Sequence, residues 1–143
     1  MGTSNVNLCR LIYYSSASPH LTDTDVDAIL EEAIAFNEGR GITGLLAYDD
    51  FHFMQVLEGN EDAVNNLYFR IAHDPRHYDV KLIHYQKVQE RHFQEWSMAL
   101  AKLPEVPGRY IDKLYGGFEP QLFTAEDALR YFDMLRHYLQ QAA

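Results

Sequence analysis

The sequence lacks the features that would place the protein outside a reducing compartment or within a membrane. Its one cysteine, Cys9, cannot form a disulfide within the chain and has no partner for a CxxC motif, which favours an intracellular setting. No apolar run approaches the roughly 18 residues of a membrane-spanning helix. The first residues also lack the apolar segment of an export signal. We therefore expect a soluble, cytoplasmic protein that does not bind membranes.

Basic residues are scarce as well. Twelve Lys and Arg stand against 21 Asp and Glu, which gives a formal net charge of −9. This balance disfavours attraction to nucleic-acid backbones and anionic lipids, so we expect no direct nucleic-acid binding. The length of 143 residues fits one domain of ordinary size, and we expect no separate effector enzyme on the same chain.

Apolar periodicity predicts the element order β-α-β-β-α-β-β. Thr22 with Asp25 forms a capping box at the start of the first helix, and Asn60 precedes the acidic first turn of the second. The first six elements match the split βαβ arrangement, an α+β ferredoxin-like sandwich whose mixed sheet carries both helices on one face. The predicted strands cover residues 8–15, 42–48, 51–58, 80–88 and about 93–100.

The pattern changes after residue 103. We predict a domain over 1–103 and an extension over 104–143 that is too short to fold independently. The extension contains two short helical patterns, one over 110–115 and one that begins near Thr124. The second has an apolar stripe, which we expect to pack on the sheet's second face or on a partner: Leu129, Phe132, Leu135 and Leu139.

An amide interrupts an apolar row in the third strand. Phe51, Phe53, Gln55 and Leu57 share one face of that strand by its two-residue period. If this face carries the helices, Gln55 is buried and its amide must find hydrogen-bond partners. Two interpretations stay open at this point, a polar residue on a partly wet sheet face and a ligand contact.

Tyr13 and Asn37 favour the ligand contact. Tyr13 lies near the end of the first strand, which is central in this fold and neighbours the third strand, and Asn37 closes the first helix. A phenol and two amides around an apolar gap between two helices are typical of a site for a planar heterocycle.

Four motifs give the chain a family resemblance. LIYYSS, GITGLLAYDDFHFMQVLEG, DPRHY and WSM resemble the motifs of BLUF domains, blue-light sensors that hold flavin adenine dinucleotide (FAD) non-covalently. The resemblance runs from about Leu8 to Leu103 and agrees with the fold predicted from the patterns. It implies that the protein is a photoreceptor and not an enzyme. The photoreceptor would signal by contact with a separate signalling or transcription-regulating protein. It also implies a homo-oligomer.

The resemblance assigns roles to individual residues. Tyr13 falls on the photoactive tyrosine, which donates an electron and a proton, and Gln55 falls on the glutamine between that phenol and the flavin. Trp96 and Met98 fall on the residues that switch or relay the signal. The other matched positions would contact the cofactor: Asn37 at the O4/N3 edge of the flavin, Ile29, Phe53 and Ile71 along its ring, and Arg70, Asp74, Arg76 and His77 near the pyrimidine edge and ribityl chain.

Two positions depart from the family's pattern. Phe36 stands where many relatives carry a polar or basic residue, which leaves open how the polar portion of the cofactor is contacted there. Tyr14 stands where Ser or Arg is common. By strand alternation Tyr14 points to the opposite face from Tyr13, so we do not expect it to compete for the flavin.

Two other functions stay open. One is a light-independent module of the same fold that binds a small metabolite or a protein. The more distant one is an acylphosphatase-like hydrolase, which is weakened because residues 15–19 carry no Arg or Lys to hold phosphate. We expect no metal site, because Pro75 separates His73 from His77 and no other ligand cluster is evident.

Overall fold

The structure, a computed structural model, describes residues 7–103 and 118–142. Residues 110–115, where a short helix is predicted, lie outside the described residues. The elements follow one another as β1 (Leu8–Ala17), α1 (Asp23–Glu38), β2 (Thr43–Tyr48), β3 (His52–Asn60), α2 (Glu61–Ala72), β4 (His77–Lys87), β5 (Ala99–Lys102) and α3 (Ala125–Ala142). A single 3-10 turn over Pro120–Leu122 precedes α3.

The two predicted helix caps are confirmed. The Thr22 hydroxyl accepts from the backbone N–H of Asp25 at 3.2 Å, and the Asp25 carboxylate accepts in return from the N–H of Thr22 at 2.9 Å. The Asn60 side chain accepts from the N–H of Asp62 at 3.0 Å. These bonds satisfy N–H groups that would otherwise lack partners in the first turns, and so fix where α1 and α2 begin.

The five strands form one mixed sheet in the order β4-β1-β3-β2-β5. The pairs among β1 to β4 are antiparallel, and β5 pairs with β2 in parallel. This is the ferredoxin-like arrangement predicted from the sequence. The central β1–β3 pair sets Tyr13 directly opposite Gln55, so the backbone register alone brings these two side chains to the same place on the sheet.

Each face of the sheet has its own apolar cluster. On one face, residues such as Leu11, Phe53 and Leu57 pack with Val26 of α1 and Val64 of α2. On the other face, α3 covers β-strand residues that include Ile12, Met54 and Val56, and Tyr14 packs against this second cluster. The α3 side chains fully buried there are Ala128, Tyr131, Phe132 and Leu135. The helix predicted after Thr124 is therefore an 18-residue element of the core, longer than expected.

The prediction for the last strand is wrong over most of its length. Only Ala99–Lys102 pairs with β2, whereas a strand is predicted from about residue 93. The reason is that side chains take the backbone donors just upstream: the Glu58 carboxylate accepts from the N–H groups of His92 and Phe93. Residues 91–98 therefore form a loop against the sheet, which we call the 91–98 loop. The strand predicted over 80–88 begins earlier, at His77.

No helix in the described part of the chain is both long enough and apolar enough to span a bilayer.

Gly44 is the glycine that the sheet requires. A Cβ added there would lie 1.9 Å from the Val56 carbonyl oxygen and 3.3 Å from the Met98 methyl group, whereas a Cβ on Gly39 would meet nothing within 4 Å. We expect Gly44→Ala to lower the free energy of unfolding by at least about 1–3 kcal/mol because of overpacking. Gly39→Ala, the matched control, should leave it unchanged or raise it by about 0.4–1 kcal/mol. Urea unfolding monitored by circular dichroism measures both, and a Gly44→Ala protein as stable as the wild type would contradict the packing described.

Candidate cofactor cleft between the first two helices

A cleft opens between α1 and α2 above the centre of the sheet. About 790 Å³ of space lies between its walls, a figure that includes the part open to solvent. Ten of the residues singled out from the sequence line it: Tyr13, Ile29, Asn37, Phe53, Gln55, Arg70, Ile71, Asp74, Arg76 and His77.

Five lining residues were not predicted as contacts: Glu32, Ala33, Phe36, Leu46 and Leu67. Helical spacing could have identified three of them, because Glu32, Ala33 and Phe36 lie three, four and seven positions after Ile29 and so face the same way. The other two, Leu46 and Leu67, are buried residues of β2 and α2.

A chain of three buried side chains crosses the floor of the cleft. The phenol of Tyr13 donates to Gln55 Oε1 at 2.6 Å, and Gln55 Nε2 donates to the Met98 sulfur at 3.4 Å. Gln55 is 4% exposed, so it does not lie on a wet sheet face. Both ends of its amide are engaged, the carbonyl by a strong donor and the NH2 group by a weak acceptor.

The Tyr13 phenol is protonated at neutral pH. Its burial raises its pKa well above the ordinary value of 10, and the negative potential of Tyr68 and Asp74 contributes in the same direction. Tyr13 is therefore a hydrogen-bond donor to Gln55 and not a base.

The side chain of Asn37, a residue that lines the cleft, carries an unsatisfied acceptor. The side chain is fully buried, and its Nδ2 donates to the Ser97 carbonyl at 2.9 Å. Its Oδ1 is buried without a hydrogen-bond partner among the described residues, which costs about 1–3 kcal/mol unless a ligand supplies a donor. A flat heterocycle with a ring N–H fits this requirement, and the flavin ring carries such a group at N3.

The rim of the cleft carries paired charges. Arg76 donates to the Asp74 carboxylate at 2.6 Å and to Glu32 at 2.9 Å, and these bonds hold the pKa of Asp74 below its usual value. His77 is held by Ser15 and by the Ile71 carbonyl. Because a carbonyl only accepts, His77 Nε2 carries a proton and donates to the Ile71 carbonyl.

The two predicted relay residues lie on different sides of the 91–98 loop. Met98 is buried beside Gln55, whereas Trp96 does not line the cleft and packs against the cluster beneath α3. Of the two, Met98 is therefore the residue in contact with the site in this conformation.

A family model described as "Sensors of blue-light using FAD" matches residues 8–99. The chain belongs to the BLUF family. Among curated relatives, the beta subunit of a photoactivated adenylate cyclase from Euglena gracilis is 41% identical over 100 residues, which are 69% of this chain and 12% of that protein. The blue light- and temperature-regulated antirepressor BluF of Escherichia coli K12 is 33% identical over 134 residues, 87% of this chain and 32% of that protein. This BLUF chain thus spans a small part of those relatives' length.

Solved structures support the same assignment. The photo-activated state of BlsA superposes with a TM-score of 0.81 at 31% identity, over 90% of this chain and 94% of that one. The match covers nearly the whole of both chains.

Sequence reasoning missed the anchor of the 91–98 loop in this BLUF domain. Glu58 is fully buried, and its carboxylate accepts from Arg10 Nε at 2.7 Å and from the Phe93 N–H at 2.6 Å. A lone carboxylate within the apolar run FMQVLE was the available signal.

Three other contacts hold the far end of the loop: the Gly44 N–H donates to the Trp96 carbonyl, Asn37 to that of Ser97, and Gln55 to Met98. The far end of the loop is thus bound by the two amides of the cleft.

The raised pKa of Tyr13 gives a pH-dependent test. Because the folded protein keeps this proton above pH 10, where the unfolded chain loses it, stability is full below pH 10 and falls as the pH rises further. We expect the unfolding free energy of the wild type to fall more steeply above pH 10 than that of Tyr13→Phe, by up to about 1.4 kcal/mol per pH unit. Urea unfolding between pH 9 and 11 measures the two slopes. Parallel profiles would show that the phenol ionises freely in the folded state.

Proposed function

We propose that this BLUF domain binds FAD in the cleft between α1 and α2 and serves as a cytoplasmic blue-light receptor that signals by contact and not by catalysis. The observation that carries the proposal is the buried Tyr13–Gln55–Met98 hydrogen-bond chain at the floor of a cleft whose Asn37 oxygen lacks a donor. This arrangement would be costly to keep without a ligand and a use for the amide.

The lining divides into a part suited to a flat ring and a part suited to a polar chain. Asn37 Oδ1 would accept from the ring N–H, and Ile29, Phe53 and Ile71 would pack along the ring. Arg70, Asp74, Arg76 and His77 lie where the polar portion would pass. When bound, the flavin supplies absorption of blue light and, once excited, a strong oxidant beside Tyr13.

Tyr13 would serve as the donor of an electron and a proton. A phenol kept neutral by burial is a weak acid, but loss of an electron makes its proton strongly acidic. The 2.6 Å hydrogen bond gives that proton a direct route to Gln55 Oε1. The electron and the proton both return afterwards, so no net chemistry remains, and the lasting change is in the state of the amide.

Gln55 would convert this transfer into a change of contacts. If the amide rotates, its carbonyl oxygen faces the Met98 sulfur, which has no proton to donate, and the present Nε2–Sδ bond is lost. If the amide tautomerises, one proton moves from Nε2 to Oε1, and Nε2 keeps one donor in place of two. A hydrogen bond worth about 1 kcal/mol shifts a two-state equilibrium about fivefold. Met98 directly precedes β5, which pairs with β2, so the change begins at the sheet edge.

The output surface proposed is α3, the described helix of the predicted extension over 104–143. Two side-chain contacts join the 91–98 loop to this helix: a hydrogen bond between His92 and Asp133 at 3.0 Å, and an ion pair between Glu95 and Arg136 at 3.2 Å. The relatives named as an adenylate cyclase and an antirepressor indicate the kinds of receiver, a signalling enzyme or a transcription regulator. We propose that such a protein, together with a second copy of this chain, contacts the α3 region.

Illumination of the purified protein tests the mechanism. We expect a yellow protein whose flavin absorption moves reversibly to longer wavelength under blue light and recovers thermally in the dark. Tyr13→Phe and Gln55→Leu should retain flavin and lose the shift, because each removes one end of the 2.6 Å hydrogen bond. Tyr14→Phe is the matched control, since Tyr14 packs on the α3 side of the sheet, and it should shift normally. A Gln55→Leu protein with a normal shift would refute the role of the amide, and a protein that takes up no flavin would favour a light-independent module.

Asn37 gives a separate test of ligand binding. We expect Asn37→Ala to weaken flavin binding about tenfold, because the buried acceptor for the ring N–H is lost. Asn65→Ala removes an exposed amide of α2 outside the cleft and should leave the affinity unchanged. Quenching of flavin fluorescence gives both dissociation constants, and equal affinities for wild type and Asn37→Ala would rule out this contact.

A further inference from the structure

Two arginines converge on a phenylalanine at the mouth of the cleft. Phe36 lines the cleft and is half-buried. The guanidinium carbon of Arg40 lies 3.6 Å from the centroid of its ring and that of Arg70 lies 4.4 Å from it, which places the two cations within about 8 Å of each other. Contact with the ring face orients both planar groups.

These two cations differ from the other described arginines in their partners. Neither has a carboxylate within ion-pair distance among the described residues. The hydrogen bond that Arg40 makes there runs from its guanidinium to the Phe36 carbonyl at 2.9 Å. Arg91 also lacks a carboxylate, but it is bound to the Thr43 hydroxyl and to two carbonyls. The others are paired with acids: Arg10, Arg76, Arg130 and Arg136.

The position of the pair indicates what it would bind. Arg40 and Arg70 are exposed, and Arg70 also lines the cleft, whereas the amides of Asn37 and Gln55 lie at its buried floor. A ring held at the floor would therefore extend its substituent toward these cations. Two guanidinium groups with unused N–H donors suit a phosphate, which accepts several charge-assisted hydrogen bonds. The chain as a whole has a net charge of −9, so its overall composition does not explain why two arginines without acidic partners lie side by side here.

We propose that Arg40 and Arg70, oriented by Phe36, form a phosphate-binding pair at the mouth of the cleft. The pair recognises the phosphate attached to the ribityl chain of the cofactor, the terminal phosphate of flavin mononucleotide (FMN) or the first phosphate of FAD. This inference rests on the proposed function and makes the domain selective for phosphorylated flavins over riboflavin.

A structural role predicts something different. Arg70 lies in the last turn of α2, and Arg40 lies just beyond the end of α1. At such positions the negative end of the helix dipole stabilises a positive charge. If that were their whole role, replacing them would lower the stability of the protein and leave its preference among flavins unchanged.

Binding of three flavins to four proteins separates these roles. Dissociation constants for riboflavin, FMN and FAD are measured by fluorescence quenching for the wild type, Arg40→Gln, the double variant Arg40→Gln/Arg70→Gln, and Arg130→Gln. Arg130 is an equally exposed arginine of α3, paired with Glu126 and outside the cleft. Each measurement is made at low and high salt, and circular dichroism verifies that each variant is folded.

We expect the wild type to bind FMN at least about tenfold more tightly than riboflavin, with this ratio falling as salt rises. The double variant should bring this ratio close to one, because FMN and FAD lose more affinity than riboflavin does, Arg40→Gln should be intermediate, and Arg130→Gln should match the wild type. An unchanged ratio in the double variant, or equal weakening of all three flavins, would overturn the phosphate pair while leaving flavin binding intact. Failure of the wild type to bind any of the three flavins would overturn the proposed function itself.

Discussion

The buried hydrogen bond between Tyr13 and Gln55 constrains the rest of the site. Its geometry follows from the antiparallel register of β1 and β3, which sets the two residues opposite each other at the centre of the sheet. An amide buried in an apolar row must engage both its carbonyl and its NH2 group. The carbonyl takes the phenol, and the NH2 group is left with the thioether of Met98, a weak acceptor. The site therefore combines one firm bond with one that is easily exchanged.

The two ends of the 91–98 loop are held by different kinds of contact. Near its start, the Glu58 carboxylate combines an ion pair with Arg10 and bonds from two backbone N–H groups, all in a fully buried place. Breaking such a group leaves an uncompensated charge and is strongly disfavoured. At its far end, Ser97 and Met98 depend on the amides of Asn37 and Gln55. The far end is therefore the end whose contacts a change at the cleft would alter, although the bond from the Gly44 N–H to the Trp96 carbonyl does not involve the cleft.

Periodicity and capping predicted most of the fold because those signals are local. The capping box at Thr22, the cap at Asn60 and the alternating runs of β1 to β3 depend on neighbouring residues alone. The end of the sheet could not be predicted in this way. Residues 93–98 have a strand-like pattern, but just at their start the backbone N–H groups of His92 and Phe93 donate to Glu58, 34 and 35 positions earlier. The grouping of Tyr13, Asn37 and Gln55 was predicted from the fold, while the unpartnered oxygen of Asn37 depends on a distant carbonyl at Ser97 that no local pattern reveals.

The route from the cleft to α3 must cross the sheet, because Tyr13 and Gln55 face α1 and α2 whereas α3 packs on the other side. The side-chain contacts between the loop and α3 are weak carriers of such a change: His92 and Asp133 are exposed, and an ion pair near the surface such as Glu95–Arg136 contributes about 0–1 kcal/mol. The Trp96 side chain is a better carrier. It packs in the α3 cluster, two residues from Met98, and its own carbonyl is bonded to Gly44 of β2. Under the proposed mechanism, a shift of Met98 would therefore reach, through Trp96, the packed core beneath α3, where even small changes of volume are felt.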